Sequence, residues 1–171
     1  YLLSLHPDFE LFSPRMIEEM DRLTSELSAM EDVARVISPL TSEYVVAQEG
    51  ELLFTPLYPG GTDSREDATG NGTTTDPEEH NRGAAVETFK ERLLGTAVYR
   101  QFFFSHDEKG LNIICIPKEG TDQRELSRNI EKTAASFPGK SYVLGDAVVN
   151  RAFTDMNKRD FRVLGLLALG I

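Results

Sequence analysis

The chain has 171 residues, of which 40% are hydrophobic and 27% charged, a balance typical of a globular domain and unlike that of a disordered segment. Its formal net charge is −10 and it has no cluster of Lys and Arg, which argues against nucleic acid as a partner. The single cysteine, Cys115, excludes an internal disulfide and a cysteine-based zinc site, and its apolar neighbours predict a buried, inert thiol.

The first forty residues predict a strand, an amphipathic helix and a second strand. Residues 1–5 are apolar, and Ser13 followed by Pro14 is typical of a helix start. Residues 33–37 are rich in β-branched side chains, which favour a strand. The apolar side of the helix repeats at three- and four-residue steps and consists of Met16, Ile17, Met20, Leu23, Leu27 and Met30.

The next part of the chain is less regular. Residues 43–47 predict another strand, whereas Pro56 indicates that residues 52–57 form an extended connector. Gly, Thr, Asp and Asn then dominate residues 58–84, and no apolar period remains. This composition predicts a long, flexible inserted loop at the surface.

Helical spacing returns at residues 84–94, and a hairpin is expected to follow. Its strands would be residues 98–105 and 111–116, separated by the polar turn H-D-E-K-G. A second amphipathic helix is predicted after Thr121 or Asp122 as cap. A short strand at residues 141–144 and a further helix after Gly145 complete the pattern.

The order strand–helix–strand, repeated, predicts an α+β fold: a ferredoxin-like (split βαβ) α/β sandwich with extra strands and a long inserted loop. Residues 1–160 would form one domain. Residues 161–171 end in a run without polar residues that is too short to cross a bilayer, for which about 20 residues are needed. That run predicts either the start of a truncated transmembrane helix or a core element, and the lack of an initial Met suggests a piece of a longer protein.

Four stretches of the chain, taken together in their order along the sequence, resemble a known family of domains. The first is a strand leading into D-F-E-L-F-S-P, and the second is M-E-D-V-A-R-V-I-S-P-L-T. The third is F-F-S-H-D-E-K-G-L-N-I-I-C-I, and the fourth is Y-V-L-G-D-A-V-V-N-R-A-F-T-D-M-N-K-R-D-F. In order and spacing they resemble the extracytoplasmic porter domain of the resistance-nodulation-division exporters, especially the MMPL-like branch.

The resemblance implies a non-enzymatic domain on the periplasmic or extracytoplasmic side of the cell membrane, between two membrane helices of a proton-driven exporter. Its partners would be the exporter's own transmembrane domain, its second porter domain and a hydrophobic or lipid-like cargo, and a homo-oligomer is compatible with it. The family's proton relay lies inside membrane helices, so the resemblance assigns no residue of this chain to energy coupling. It implies no cofactor.

Catalytic motifs have little support in the sequence. His6, His80 and His106 fall in predicted turns or loops, and none has a partner at the spacing of a metal site or a catalytic triad. There is no G-x-S-x-G elbow and no phosphate-binding loop. An acylphosphatase-like hydrolase would need an arginine-bearing anion loop after the first strand, where this chain has H-P-D-F-E.

One segment of the inserted loop has calcium-loop spacing. Asp67, Thr69, Asn71 and Glu78 occupy positions 1, 3, 5 and 12, with Gly72 at position 6. Thr at positions 3 and 8 and the lack of a preceding helix argue against a functional EF-hand. This weak candidate supports an alternative function, a soluble ferredoxin-like ligand-binding or regulatory module that depends on calcium.

The apolar run Phe102, Phe103 and Phe104 is the candidate ligand-binding site. In a strand these rings would point to both faces. One interpretation is a strand covered on both sides, and the other is the wall of a groove for apolar cargo. The exporter hypothesis places such a groove beside these rings and the first helix.

Overall fold

The computed structural model describes residues 1–48, 50–60 and 77–169, and the side chains within these ranges except at 48, 77–80 and 159–169. The fold is α+β, with a four-stranded antiparallel sheet, a separate two-stranded ribbon and five helices in the described part. The strands are β1 (Leu2–Pro7), β2 (Val33–Ile37), β3 (Glu43–Gln48), β4 (Glu51–Pro56), β5 (Leu111–Pro117) and β6 (Gly139–Leu144). The helices are α1 (Pro14–Ser28), α2 (Pro77–Gly95), α3 (Ala97–Phe103), α4 (Gln123–Ala134) and α5 (Asp146–Leu169), with a 3-10 turn at Pro39–Thr41.

The main sheet has the strand order β2-β5-β1-β6, and every neighbouring pair is antiparallel. Because side chains alternate along a strand, Leu3, Leu5, Leu111, Ile113 and Cys115 share one face, and all five are buried. The apolar sides of α1 and α4 join the same core. We call this the core face of the sheet and the opposite one the open face.

The amphipathic helices form where the sequence predicts them. Ser13 caps α1, and its hydroxyl accepts a hydrogen bond from the backbone N–H of Met16. Asp122 caps α4 by accepting from the N–H groups of Arg124 and Glu125. These caps satisfy amides that the first turn of a helix leaves free.

The predicted strand at residues 98–105 is wrong, because this segment is helix α3. Tyr99 and Phe103 lie one turn apart on α3, and their rings stack with centroids 6.3 Å apart. Only an isolated bridge between Phe104 and Leu111 remains of the expected hairpin. The β-forming composition is outweighed by tertiary contacts, since β propensity depends strongly on context.

Two further expectations need correction. Residues 52–57 are not a simple connector, because Glu51–Pro56 forms strand β4, paired with β3 and ending at the proline. The predicted loop over residues 58–84 is too long, because α2 already begins at Pro77 and buries Phe89 and Leu93 further along. Helix α5 runs without a break through residues 160 and 161, and the start of a transmembrane helix at residue 161 stays a prediction.

Candidate functional site

Helix α3 is fixed across one end of the open face. The side-chain amide of Asn112, on β5, donates to the backbone oxygens of Phe104 at 2.7 Å and of Phe102 at 3.3 Å. At the other side of the helix, the Tyr99 hydroxyl donates to the backbone oxygen of Glu43 at 2.9 Å. One buried amide and one phenol therefore connect α3 to the sheet and to the ribbon.

A groove of about 630 Å³ lies between α3 and strand β2. Its wall carries the exposed side chains of Val98 and Phe102, and its floor includes Ile37 and Ile114. Polar residues border it, namely Arg35, Thr41, Ser42 and Glu43. An apolar floor with a polar border is the usual character of a site for an apolar or amphipathic ligand.

The structure separates the three phenylalanines of the candidate site. Phe102 is 57% exposed and lines the groove. Phe103 also borders the groove but is 5% exposed and belongs to the core, whereas Phe104, at 7%, belongs to the core and lies outside the groove. The expectation that the rings would point to the two faces of a strand is wrong, because the segment is helical. Phe102 is thus the member of the trio whose side chain is largely exposed in the groove.

The groove continues into an apolar row across the open face. The strand register aligns Leu144, Leu2, Ile114 and Ile37 as cross-strand neighbours on the four strands. Leu144 is among the exposed large apolar residues, as are Tyr142 and Ile116 nearby on β6 and β5. No single stretch of sequence shows this row, because each strand contributes one residue.

The β3–β4 ribbon has one apolar face in solvent. Val45 lies opposite Phe54 and Ala47 opposite Leu52, so these four side chains share a face. Leu52 and Phe54 are 64% and 62% exposed. An isolated two-stranded ribbon is only marginally stable in water, so such a face is typical of a contact surface.

Helix α5 is oriented with its polar side toward the domain. Its exposed apolar residues Val149, Phe153 and Met156 recur at helical spacing on one side. At about 100° per residue, Arg151 and Lys158 lie on the opposite side, and they line a cleft against α4. A surface helix normally does the reverse and buries its apolar side.

His6 does not lie in a turn as predicted but in β1, on the open face. The Ser4 hydroxyl is 3.1 Å from its Nε2, its Nδ1 is 3.9 Å from Oδ2 of Asp107, and the ring of Tyr142 packs edge-on. Two hydrogen bonds to its carboxylate lower the pKa of Asp107: the larger effect comes from the Ser105 hydroxyl and the smaller from the Lys109 backbone N–H.

Serine, histidine and aspartate in this order can activate a nucleophile, but two requirements are not met. The 3.9 Å separation between His6 and Asp107 is longer than a hydrogen bond. Strand β1 pairs on both sides, so its N–H groups serve the sheet rather than an oxyanion. We interpret the cluster as a polar contact that connects β1 to the turn before β5. His106 is exposed, and the side chain of His80 lies outside the described residues.

The weak calcium-loop candidate cannot be placed. Asp67, Thr69 and Asn71 lie outside the described residues, as does the side chain of Glu78, although its backbone is in α2. Within the described ranges, no group of His, Cys, Asp and Glu side chains is arranged to hold a metal ion. In the same part of the chain, no helix combines the length and apolar character needed to cross a membrane.

Comparisons with models of known protein families, with curated proteins and with solved structures found no match.

Proposed function

We propose that this chain is the extracytoplasmic porter domain of a resistance-nodulation-division exporter of the MMPL-like branch. In this proposal the domain is not an enzyme and binds no cofactor. It handles hydrophobic or amphipathic cargo such as lipids and moves as a rigid α/β module during transport. Its fold would be the ferredoxin-like split βαβ sandwich, with the β3–β4 ribbon and the segment before α2 as insertions.

The order of the elements supports the fold part of this proposal. Without the ribbon, α2, α3 and α5, the chain reads β1-α1-β2-β5-α4-β6, which is strand–helix–strand twice. The two helices α1 and α4 share the core face, and all four strands are antiparallel neighbours. The α2–α3 pair and the ribbon both lie between β2 and β5 in sequence.

The observation that carries the functional part is the orientation of α5. This 24-residue helix directs its polar side toward α4 and its apolar side, with Phe153 at 58% exposure, into solvent. Its sequence then passes into the apolar run of residues 163–171. A helix that is apolar on its outer side and increasingly apolar along its length suits a connection to a membrane segment and to neighbouring domains.

The groove at α3 supports a role in handling cargo. Val98 and Phe102 offer apolar surface to solvent above Ile37 and Ile114, and the groove continues into the apolar row of the open face. Exposed apolar residues that form a continuous surface favour binding of an apolar molecule over chance exposure.

Two experiments test the proposal. The first is to read the coding sequence on both sides of the chain, where we expect about 20 apolar residues continuing from residue 171 and another such run before residue 1. A frame that stops shortly after residue 171 and has no apolar run before residue 1 would contradict it.

The second experiment measures export by the full-length protein carrying Phe102→Asp. We expect export to fall, because a carboxylate at the groove wall repels apolar cargo, while circular dichroism of the isolated domain is unchanged. Leu94→Asp on α2 is the matched control, since Leu94 is 42% exposed and lies outside this groove. Equal export by both variants would refute a cargo role for the groove.

The alternative is a soluble ferredoxin-like ligand-binding or regulatory module, and the 630 Å³ groove supports it as well. A calcium-dependent form predicts heat on titration with millimolar calcium and loss of that heat in Asp67→Asn. The absence of heat with the native chain would remove the calcium-dependent form.

A further inference from the structure

A second cleft, distinct from the groove at α3, lies between α4 and α5. It has a volume of about 590 Å³ and is open to solvent. The side chains of Arg151, on α5, and Glu131, on α4, bond to each other beside it and hold the two helices together. Its position is therefore fixed by a direct contact between the helices that form it.

Three cations in this cleft have no ion-pair partner among the described residues. Arg124 and Arg128 lie one turn apart on α4, and Lys158 faces them from α5. None of the three forms an ion pair with any described residue, and all are exposed. Asp146 and Asp155 also line the cleft and form no ion pair within the described part of the chain, so positive charge exceeds negative charge among these uncommitted groups.

This local excess is unusual because the whole chain carries a formal charge of −10. Like charges one helical turn apart repel each other, so Arg124 and Arg128 destabilise α4 slightly when nothing lies between them. A bound anion would remove that repulsion. The amide of Asn150, which is exposed on α5, adds a neutral donor at the same cleft.

We propose that the α4–α5 cleft binds a phosphate group. The guanidinium of arginine matches the oxygens of phosphate in paired hydrogen bonds, and lysine adds a compact charge. These three side chains offer more donors than the two oxygens of a single carboxylate can accept, whereas a phosphate presents three strong acceptor oxygens. Asp146 and Asp155 leave an excess of one positive charge among the uncommitted groups, which still favours an anion. The volume accommodates more than a bare phosphate, so the phosphate belongs either to a soluble phosphomonoester or to a phospholipid head group.

The test uses the whole chain of 171 residues and two arms that separate these sources. In the first arm, inorganic phosphate and glycerol phosphate are titrated at constant ionic strength held with chloride. In the second arm, the chain is sedimented with vesicles of phosphatidylcholine alone or with added phosphatidylglycerol. We expect binding in at least one arm, and weaker binding as salt is raised.

The variant Arg124→Gln/Arg128→Gln should weaken that binding at least tenfold. The control Lys109→Gln/Lys118→Gln removes the same charge from exposed positions outside the cleft and should change binding less than twofold. Both pairs are at the surface, and thermal unfolding verifies that each variant is folded.

Each outcome has a defined meaning. Binding of the soluble phosphates identifies a soluble ligand, and selective binding of phosphatidylglycerol vesicles alone identifies a head group. No binding in either arm, or equal weakening by the two double variants, would overturn the proposal. These results are independent of export, so they do not depend on the proposed function.

Discussion

Asn112 should be one of the residues on which the stability of the domain depends most. Its side-chain amide links β5 to the C-terminal turn of α3 by donating to the backbone oxygens of Phe102 and Phe104, and the residue is 5% exposed. Asn112→Ala removes two donors and leaves the backbone oxygens of Phe102 and Phe104 without that partner. The Oδ1 atom of Asn112 has no donor among the described residues, so removing this buried acceptor offsets part of the destabilisation.

The expected loss in the free energy of unfolding combines three contributions: the lost hydrogen bonds, the carbonyl oxygens left without a donor and the removal of Oδ1. Each hydrogen bond contributes about 1 kcal/mol, and a buried acceptor left without a donor adds about 1–3 kcal/mol. After the gain from removing Oδ1, we expect Asn112→Ala to lower the free energy of unfolding by about 2 kcal/mol. Asn112→Asp should cost more, because a carboxylate donates no hydrogen bond and would be buried beside carbonyl oxygens.

Urea unfolding followed by circular dichroism measures these differences. Asn129→Ala is the matched control, since Asn129 is exposed on α4 and its side chain makes no hydrogen bond within the described structure. The reasoning would be refuted if Asn112→Ala changed the free energy of unfolding by less than about 0.5 kcal/mol, or if the aspartate variant were the more stable of the two.

Three further predictions concern single side chains. Phe103→Ala should lower the free energy of unfolding by about 3–5 kcal/mol and Phe102→Ala by less than about 1 kcal/mol, because only Phe103 is buried; equal losses in urea unfolding would contradict this. Ser13→Ala should lower the free energy of unfolding by about 1 kcal/mol because α1 loses its cap, while Ser13→Asp should retain most of the native stability because a carboxylate can also cap the helix. An alanine variant as stable as the native chain would argue against the cap. Burial raises the pKa of the Cys115 thiol from 9.0 to about 11, so a thiol reagent at pH 8 should react with it only after unfolding. Because the folded state holds this proton more tightly, the protonated thiol should make its full contribution to the free energy of unfolding below pH 9, and this contribution should be lost as the pH rises through 11. Rapid labelling of the native chain at pH 8 would disprove the burial.

The α1 and α4 helices and most strands could be predicted because their signals are local. Ser13 and Asp122 act as caps through amides only three residues away or less, and the apolar spacing of each helix reflects one buried side. Helix α3 could not be predicted in this way. Its composition favours a strand, and the contacts that select a helix come from Asn112, which follows it, and from Glu43, far before it.

The candidate sites required tertiary information for a similar reason. Strand alternation alone places Ser4 beside His6, but nothing local brings Asp107 to the same place. The apolar row of the open face depends on a register that joins Leu2 to both Ile114 and Leu144, more than a hundred residues away. In the sequence each of these residues looks like an ordinary strand residue.

The central place of β1 in the sheet has a consequence for how the chain folds. This strand precedes the other strands of the sheet in the chain but pairs only with β5 and β6. One of its edges therefore has no partner until the chain has been extended past residue 117, and the other has none until residue 144. Contacts of such long sequence separation slow folding, because a large loop must close before they form. During synthesis, β1 would therefore be an unpaired apolar strand for most of the time and a natural target for a chaperone. Shortening the segment between β4 and α2 should speed folding only slightly, since the cost of loop closure depends on the logarithm of loop length.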